Sequence, residues 1–267
     1  MGSSDRWLTE VRRTARAIRR RTLDSTIAKN GGYLCQACSS AEILAVLHRG
    51  ALREDRGDLF VLSPAHYSLP LYAALAETGK LDPAILATYS DNGSNLEMIG
   101  SEDAPGMVVT GGSLGQALSQ AIGIVLARRL RSQPGRMFVL ISDGELEEGQ
   151  TWEALMAAAH YGLHELTVIV DANDSQVDGS PVNVMGVEPI LGKLEVFGFE
   201  TTEIDGHDPV ELRAAFETHH PSRPCAVVCR TRMWEGIPSL AGRANLHYVR
   251  FRPGEADAAK ADLEDSL

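Results

Sequence analysis

The chain has 267 residues, 44% apolar and 23% charged. That is enough to bury the core of one large α/β domain or two small ones, and it excludes a disordered chain. With 25 Lys and Arg against 36 Asp and Glu, the formal charge is −11, which argues against nucleic acid as the main partner because phosphate binding needs a basic surface. No apolar run approaches membrane-spanning length. The opening MGSSDRWLTEVRRTARAIRRRT has no apolar core before a cleavage site, so we expect a cytoplasmic chain with no membrane partner. Met1-Gly2 before two serines is similar to a weak myristoylation start, with a cloning scar or ordinary leader as the plainer reading.

In chain order, Arg6 to Arg21 reads as a basic helix with Trp7, Val11, Ala15 and Ile18 at helical spacing. Asn30-Gly31-Gly32 reads as a turn, and Ser40 to Leu52 as an amphipathic helix with Ser40 as its N-cap. Asp58 to Ser63 reads as a strand, followed by a loop with His66 and a helix from Leu69 to Ala76. Gly111-Gly112-Ser113 opens a helix through Leu130, and MFVLIS (Met137 to Ser142) is a continuous apolar run, as expected of a strand covered on both faces. Helix Glu153 to Tyr161, strand Leu166 to Val170, a helix near Ile190 to Val196, a strand around Glu200 to Ile204, helix Pro209 to Thr218 and strand Ala226 to Arg230 follow. This alternation predicts an α/β fold, with a mostly parallel sheet and helices on both faces. Residues 1–250 read as one domain and 251–267 (PGEADAAKADLEDSL at its end) as an acidic, flexible tail. Cys35, Cys38, Cys225 and Cys229 read as reduced, buried, small packing residues rather than a metal or redox set.

Ligands of parallel sheets bind beyond the carboxyl ends of the strands. There MFVLIS runs into Asp143-Gly144-Glu145 and LTVIV into Asp171-Ala172-Asn173. If the strands are neighbours, Asp143 and Asn173 project from one edge. A carboxylate and an amide oxygen suit a hard divalent cation that leaves positions open for phosphate oxygens. Gly144 would let the backbone approach a phosphate and aim its N–H at it. Each motif alone is equally a turn after a strand.

Ser142-Asp143-Gly144-Glu145, then Glu148-Gly149-Gln150 and Asp171-x-Asn173, resembles the thiamine diphosphate motif, and the stretch from Asp143 to Gly179 resembles the transketolase family almost continuously. Gly112-Ser113-Leu114-Gly115-Gln116, Phe60 to Ser68 and Asp205-Gly206-His207-Asp208 are further similar segments, so the likeness runs from about Arg12 to about His247. It implies a three-layer thiamine-diphosphate-binding fold. It implies Mg²⁺ (or Ca²⁺ or Mn²⁺) held by Asp143, Asn173 and the Ser175 carbonyl. Implied cofactor contacts are Gly112, Ser113, Leu114, Gly144, Glu145, Asn173, Val177 and His66. His66, His247 and Tyr33 are the implied catalytic side chains, near-neutral histidines serving to shuttle hydroxyl protons.

The chain covers only the diphosphate-binding part of a full transketolase. The resemblance therefore implies a split enzyme with a companion pyrimidine-binding and C-terminal subunit, in two copies of each chain. The implied reaction is transfer of a two-carbon ketol unit from a ketose phosphate. The alternative is a transketolase/pyruvate-dehydrogenase-like hybrid of natural-product biosynthesis, delivering a glycolyl thioester to a lipoyl or acyl-carrier protein. A degenerate, non-catalytic binding subunit is the remaining class. Tyr33 stands where the family has histidine, Ser101 falls on a second family histidine, Val108 lies near a family glutamate, and Ser142 replaces the first glycine of the motif. A tyrosine is a poor general base at neutral pH, so the cofactor site reads as kept and the sugar pocket as rebuilt.

Overall fold

A computed structural model describes residues 3–265; Met1 and Gly2 of the myristoylation-like start, and the last two residues of the acidic tail, lie outside them. Five strands, β1 (Leu59–Leu62), β2 (Met137–Ser142), β3 (Leu166–Ala172), β4 (Glu200–Asp205) and β5 (Cys225–Arg230), form one sheet in the order β1-β2-β3-β5-β4. All four pairings are parallel. The central strands β2 and β3 are buried along their whole length, which is why they carry unbroken apolar runs rather than alternation.

Helices α1 (Ser3–Ala28), α2 (Leu34–Val46), α3 (Ser68–Glu77), the short α4 (Pro83–Leu86), α5 (Gln116–Leu130), α6 (Gly149–His160), the short α7 (Pro181–Val184), α8 (Ile190–Val196), α9 (Pro209–Glu217) and α10 (Glu255–Asp265) complete the chain. Side chains of a strand point alternately to opposite faces, and each face meets its own helices. Phe138, Leu140, Ile169 and Val227 pack with α1, α2, α3 and α9. Met137, Val139, Val168 and Val228 pack with α5, α6 and α8. The result is the expected three-layer arrangement.

Several boundaries move for identifiable reasons. Helix α2 begins at Leu34, so Ser40 is not an N-cap; its hydroxyl donates back to the Gln36 carbonyl at 2.6 Å, a mid-helix arrangement. Helix α5 begins only at Gln116, because Gly115 at φ 78° is in the left-handed region and closes a loop instead. The acidic segment read as a flexible tail is helical over Glu255–Asp265, with Ala259 and Leu263 buried against a third cluster that includes Leu23, Cys35 and Val249. Arg16 of α1 donates to the backbone carbonyls of Leu263 and Glu264, satisfying helix-end acceptors that would otherwise lack partners. The basic helix thus receives the acidic one. All four cysteines are free and buried, as a packing role requires. Among the described residues no helix is long and apolar enough to cross a membrane.

Candidate cofactor and active site

Ser142 of β2 lies in register with Asp171 of β3, so the chain leaves these neighbouring strands at Asp143 and Asn173 on one edge. Asp143 is 2% exposed. Its Oδ1 accepts from the Gly144 N–H at 2.9 Å and its Oδ2 from the Asp174 N–H at 2.8 Å. No cationic side chain pairs with it among the described residues. Burial, and next the neighbouring Asp171, push its pKa up to about 7. The expectation that the Gly144 N–H points at a phosphate does not hold in this conformation, since the Asp143 carboxylate takes it.

Asn173 is fixed from both ends of its amide. The Nδ2 group donates to the Tyr67 hydroxyl at 2.9 Å and to Asp171 Oδ2 at 3.1 Å, and Oδ1 accepts from the Ser175 N–H at 3.0 Å. Asp171 is fully buried and also accepts from Ser39 Oγ, Tyr67 OH and Thr231 Oγ1. For Asp171, Tyr67, Ser39 and Thr231 the sequence carries no direct sign of this role. Asp171 and Tyr67 sat inside the recognised motifs, and that adjacency was the one available signal.

Beside this edge opens a cleft of about 350 Å³. Gly144, Ser175 and Val177 border one side, Gly112 and Leu114 a second, and Tyr33, Gln36, His66 and His247 a third. Eight of the named site residues (Tyr33, His66, Gly112, Leu114, Gly144, Ser175, Val177 and His247) therefore meet there, whereas Asp143 and Asn173 do not border it. The glycine loop is sterically required: a Cβ on Gly111 would sit 2.8 Å from the Ser63 carbonyl oxygen. Ser113 does not border the cleft; its hydroxyl accepts from Gln116 at 3.1 Å. Ser101 does not border it either, whereas the nearby Ile99 does.

Glu145 corrects the sequence reading. It is fully buried beneath the cleft rather than facing it. Its Oε1 accepts from Ser63 Oγ at 2.5 Å and the Gly115 N–H at 2.9 Å, and its Oε2 from the Ser142 N–H at 3.0 Å. Its side chain clamps the glycine loop to β1 and β2 and so shapes the site from beneath. Adjacency to Gly144 in the motif says nothing of side-chain direction.

The third side is an aromatic cluster. The Tyr33 ring lies 5.1 Å from His66 and 5.6 Å from His247, and the two imidazoles are 5.1 Å apart. Neither imidazole has a hydrogen-bond partner among the described residues. Burial, reinforced by His247, lowers the His66 pKa to about 3, and burial also lowers that of His247. Both rings are therefore neutral near pH 7, each able to accept one proton or hydrogen bond and donate another. Burial, then Tyr248, raises the Tyr33 phenol above 10.0, so it stays protonated. An antiparallel bridge between Gly32 and Val249 fastens the His247 segment beside Tyr33. Asn245, which the sequence reading passed over, donates to the Val177 carbonyl at 3.1 Å and accepts from the His247 N–H at 2.8 Å, tying two rims together.

Asp205-Gly206-His207-Asp208 lies elsewhere. His207 Nδ1 is 3.0 Å from Glu42 Oε2, and its Nε2 accepts from the Arg232 N–H at 2.9 Å. Glu42 is also held by Arg19. This turn anchors α2 from below.

The fold is a parallel α/β domain whose polar strand ends adjoin a cleft. Residues 11–264 match the family described as transketolase, thiamine diphosphate binding domain. The chain is 40% identical over 252 residues to a transketolase family protein (y4mO) of Sinorhizobium fredii, covering 90% of each. It is 31% identical to one of the subunits of the apulose-4-phosphate transketolase of Actinobacillus succinogenes, covering 96% of each. The fold is also similar to a Pichia stipitis transketolase variant in complex with fructose 6-phosphate, with a TM-score of 0.85 and 25% identity, over 96% of this chain and 41% of that one. The chain belongs to the transketolase family and forms its thiamine-diphosphate-binding domain. It spans about two-fifths of the solved transketolase chain it matches.

Proposed function

We propose that the chain is the cofactor-binding subunit of a two-chain transketolase that moves a two-carbon ketol unit from a ketose phosphate to an acceptor. The observation that carries this reading is one cleft that brings Gly144, Ser175 and Val177 together with neutral His66, His247 and Tyr33, beside the adjoining strand ends that carry Asp143 and Asn173. The residues fit the implied cation. Asp143 is a buried carboxylate beside a second one, Asp171, with no cationic partner among the described residues. With the Asn173 amide oxygen and the Ser175 carbonyl it makes an all-oxygen set suited to Mg²⁺.

Bound in the cleft, thiamine diphosphate would supply the electron sink for breaking the carbon–carbon bond next to a ketose carbonyl. Gly144, lacking a side chain, lets the diphosphate approach the backbone. His66 and His247, held neutral by burial, accept and donate hydrogen bonds to sugar hydroxyls, and Tyr33 donates one without acting as a base. Similar proteins of nearly this length are named as separate subunits of a transketolase, that of apulose 4-phosphate among them, which supports a companion chain that carries the pyrimidine-binding part. We place the assembly in the cytoplasm.

The test is to titrate thiamine diphosphate into the chain with its companion, with and without Mg²⁺, and to assay transfer from fructose 6-phosphate to an aldose phosphate. Cation-dependent binding and transfer are expected. Failure of the cofactor to bind in either condition overturns the reading. Transfer to a lipoyl or acyl-carrier thiol in place of an aldose would replace the acceptor class and keep the cofactor role.

A further inference from the structure

A second cavity, of about 750 Å³, opens at the opposite end of the sheet. Asp58, Arg136 and Glu165, the residues immediately before β1, β2 and β3, border it, as does Glu217 at the end of α9. The six residues of β2, rising about 3.3 Å each, put it roughly 20 Å from Asp143. It shares no residue with the cofactor cleft.

Buried Asp58 organises this end. Its Oδ2 accepts from the Arg53 N–H at 3.0 Å and its Oδ1 from the Arg136 N–H at 2.8 Å. One carboxylate therefore sets the backbone of two arginines, yet among the described residues it forms an ion pair with neither guanidinium. The other carboxylates at the cavity are engaged elsewhere: Glu165 with Arg129 at 2.5 Å, and Glu217 with Arg213 at 2.9 Å. The Arg136 guanidinium donates only to neutral groups, the carbonyls of Phe216 and Thr218 and the Thr167 hydroxyl. Arg53 and Arg56 also border the cavity, are exposed, and have no side-chain partner among the described residues. Burial, and to a lesser degree Arg53, lower the Arg136 pKa against the pull of Cys225 and Asp58, so two like charges act on one space.

Three guanidiniums without a carboxylate partner, on a chain of formal charge −11, invert the field of the molecule at this place. A concave site lined by one sign of charge concentrates ions of the other. The planar guanidinium matches phosphate oxygens two at a time. A cavity of this size suits a small molecule; a nucleic acid needs a basic surface that extends further, and the net charge opposes it.

We propose that this cavity binds a phosphate dianion, held by Arg53 and Arg56 in the positive field of Arg136. The phosphate is either the free ion or part of a phosphorylated small molecule whose body rests on Ala51 and Pro134, which border the cavity. The inference stands apart from the ketol-transfer reading.

The experiment is calorimetric titration of the full chain, at constant ionic strength and without Mg²⁺, with inorganic phosphate and separately with glycerol 3-phosphate. Saturable binding is expected. It should weaken about tenfold or more in the Arg53→Gln/Arg56→Gln double variant, which removes the charge-assisted hydrogen bonds. Arg53→Lys, which keeps the charge but not the fork, should bind more tightly than Arg53→Gln and less tightly than the parent. If the double variant does not fold, Arg53→Gln and Arg56→Gln carry the test singly, each with a smaller loss. Equal affinity for the two probes supports the site as one for the free ion, and tighter binding of the ester supports it as one for a phosphorylated metabolite. Absence of saturable binding overturns the proposal, as does unchanged affinity in the double variant, which would place the phosphate elsewhere. An Arg252→Gln/Lys260→Gln variant loses the same charge around the C-terminal helix and should stay within about threefold of the parent. An equal loss there would mean a diffuse effect of net charge and would also overturn the site.

Discussion

On the strand-end side of the cleft, Asp171 takes side-chain hydrogen bonds from Ser39, Tyr67, Asn173 and Thr231, and Asn173 is held at both ends of its amide. On the other side, the rings of His66 and His247 pack on Tyr33 and on each other and make no hydrogen bond among the described residues. The first wall is pre-organised for one ion in one place. Polar groups locked by several neighbours cost little further ordering when the ligand arrives. The second wall offers unspent donors and acceptors, which is how a surface specifies a hydroxylated ligand. A cofactor common to a family can be gripped by the rigid wall, while the identity of the sugar is decided on the other.

The comparison breaks most readily at Asp143. Asp143→Ala removes the only carboxylate among the three cation ligands, and Mg²⁺-dependent retention of thiamine diphosphate should fall more than ~100-fold, beyond the 10–100-fold typical of outer partners of a metal site. Retention close to the parent value would show that the cation edge lies elsewhere. A smaller effect is expected at Tyr67, whose hydroxyl joins Asp171 to Asn173. Tyr67→Phe keeps the ring and should weaken Mg²⁺-dependent binding about tenfold; equal affinity would mean that Asn173 is positioned without it. The sugar wall should respond in the opposite sense. Tyr33→His replaces a phenol that stays protonated with a group that can take a proton near neutral pH, so turnover of ordinary ketose phosphates should rise several-fold with cofactor affinity unchanged. No gain would leave Tyr33 without a part in selecting the substrate.

How much of this was legible follows from which interactions are local. The strands β2 and β3 were read with correct starts because burial on both faces leaves a continuous apolar signature. Asp143 and Asn173 came from strand ends and motif spacing, and their meeting on one edge needed only that the strands be neighbours. Glu145 was misassigned because sequence spacing near a turn does not determine which way a side chain points. The C-terminal helix was missed because its composition is acidic, while what orders it is distant in sequence: the guanidinium of Arg16 on its last carbonyls, and Leu263 in an apolar cluster with Leu23. The hydrogen bonds that Ser39 and Thr231 give to Asp171 are equally non-local, and no single-sequence pattern encodes them.

The smallest effect concerns protons. His66 is held neutral, its pKa lowered from 6.5 to about 3 by burial and by His247, and His48 is lowered to about 3 by burial and by Lys80. An unfolded chain takes up a proton at each site below about pH 6.5, and the folded chain does not. The unfolded state therefore binds more protons in that range, and stability falls as pH drops from about 6.5 towards 3, with no contribution above 6.5. Glu42 acts lower. Burial opposes its ionisation, but Arg19 and His207 outweigh that and hold its pKa at about 2 against an ordinary 4.5, so the stability it contributes is present above 4.5 and lost as pH falls towards 2. Between about pH 6.5 and pH 5 the two histidines outweigh the one proton that folded Asp143, with its pKa raised to about 7, takes up in the opposite sense, and the thermal midpoint of the chain should decline across that interval. His66→Gln, which cannot take the proton, should make the decline shallower, as should His48→Gln by a similar amount. A decline as steep in His66→Gln as in the parent would mean that His66 is already protonated in the folded chain. The histidine wall would then carry charge, and the contrast between a charged edge and a neutral wall would fail.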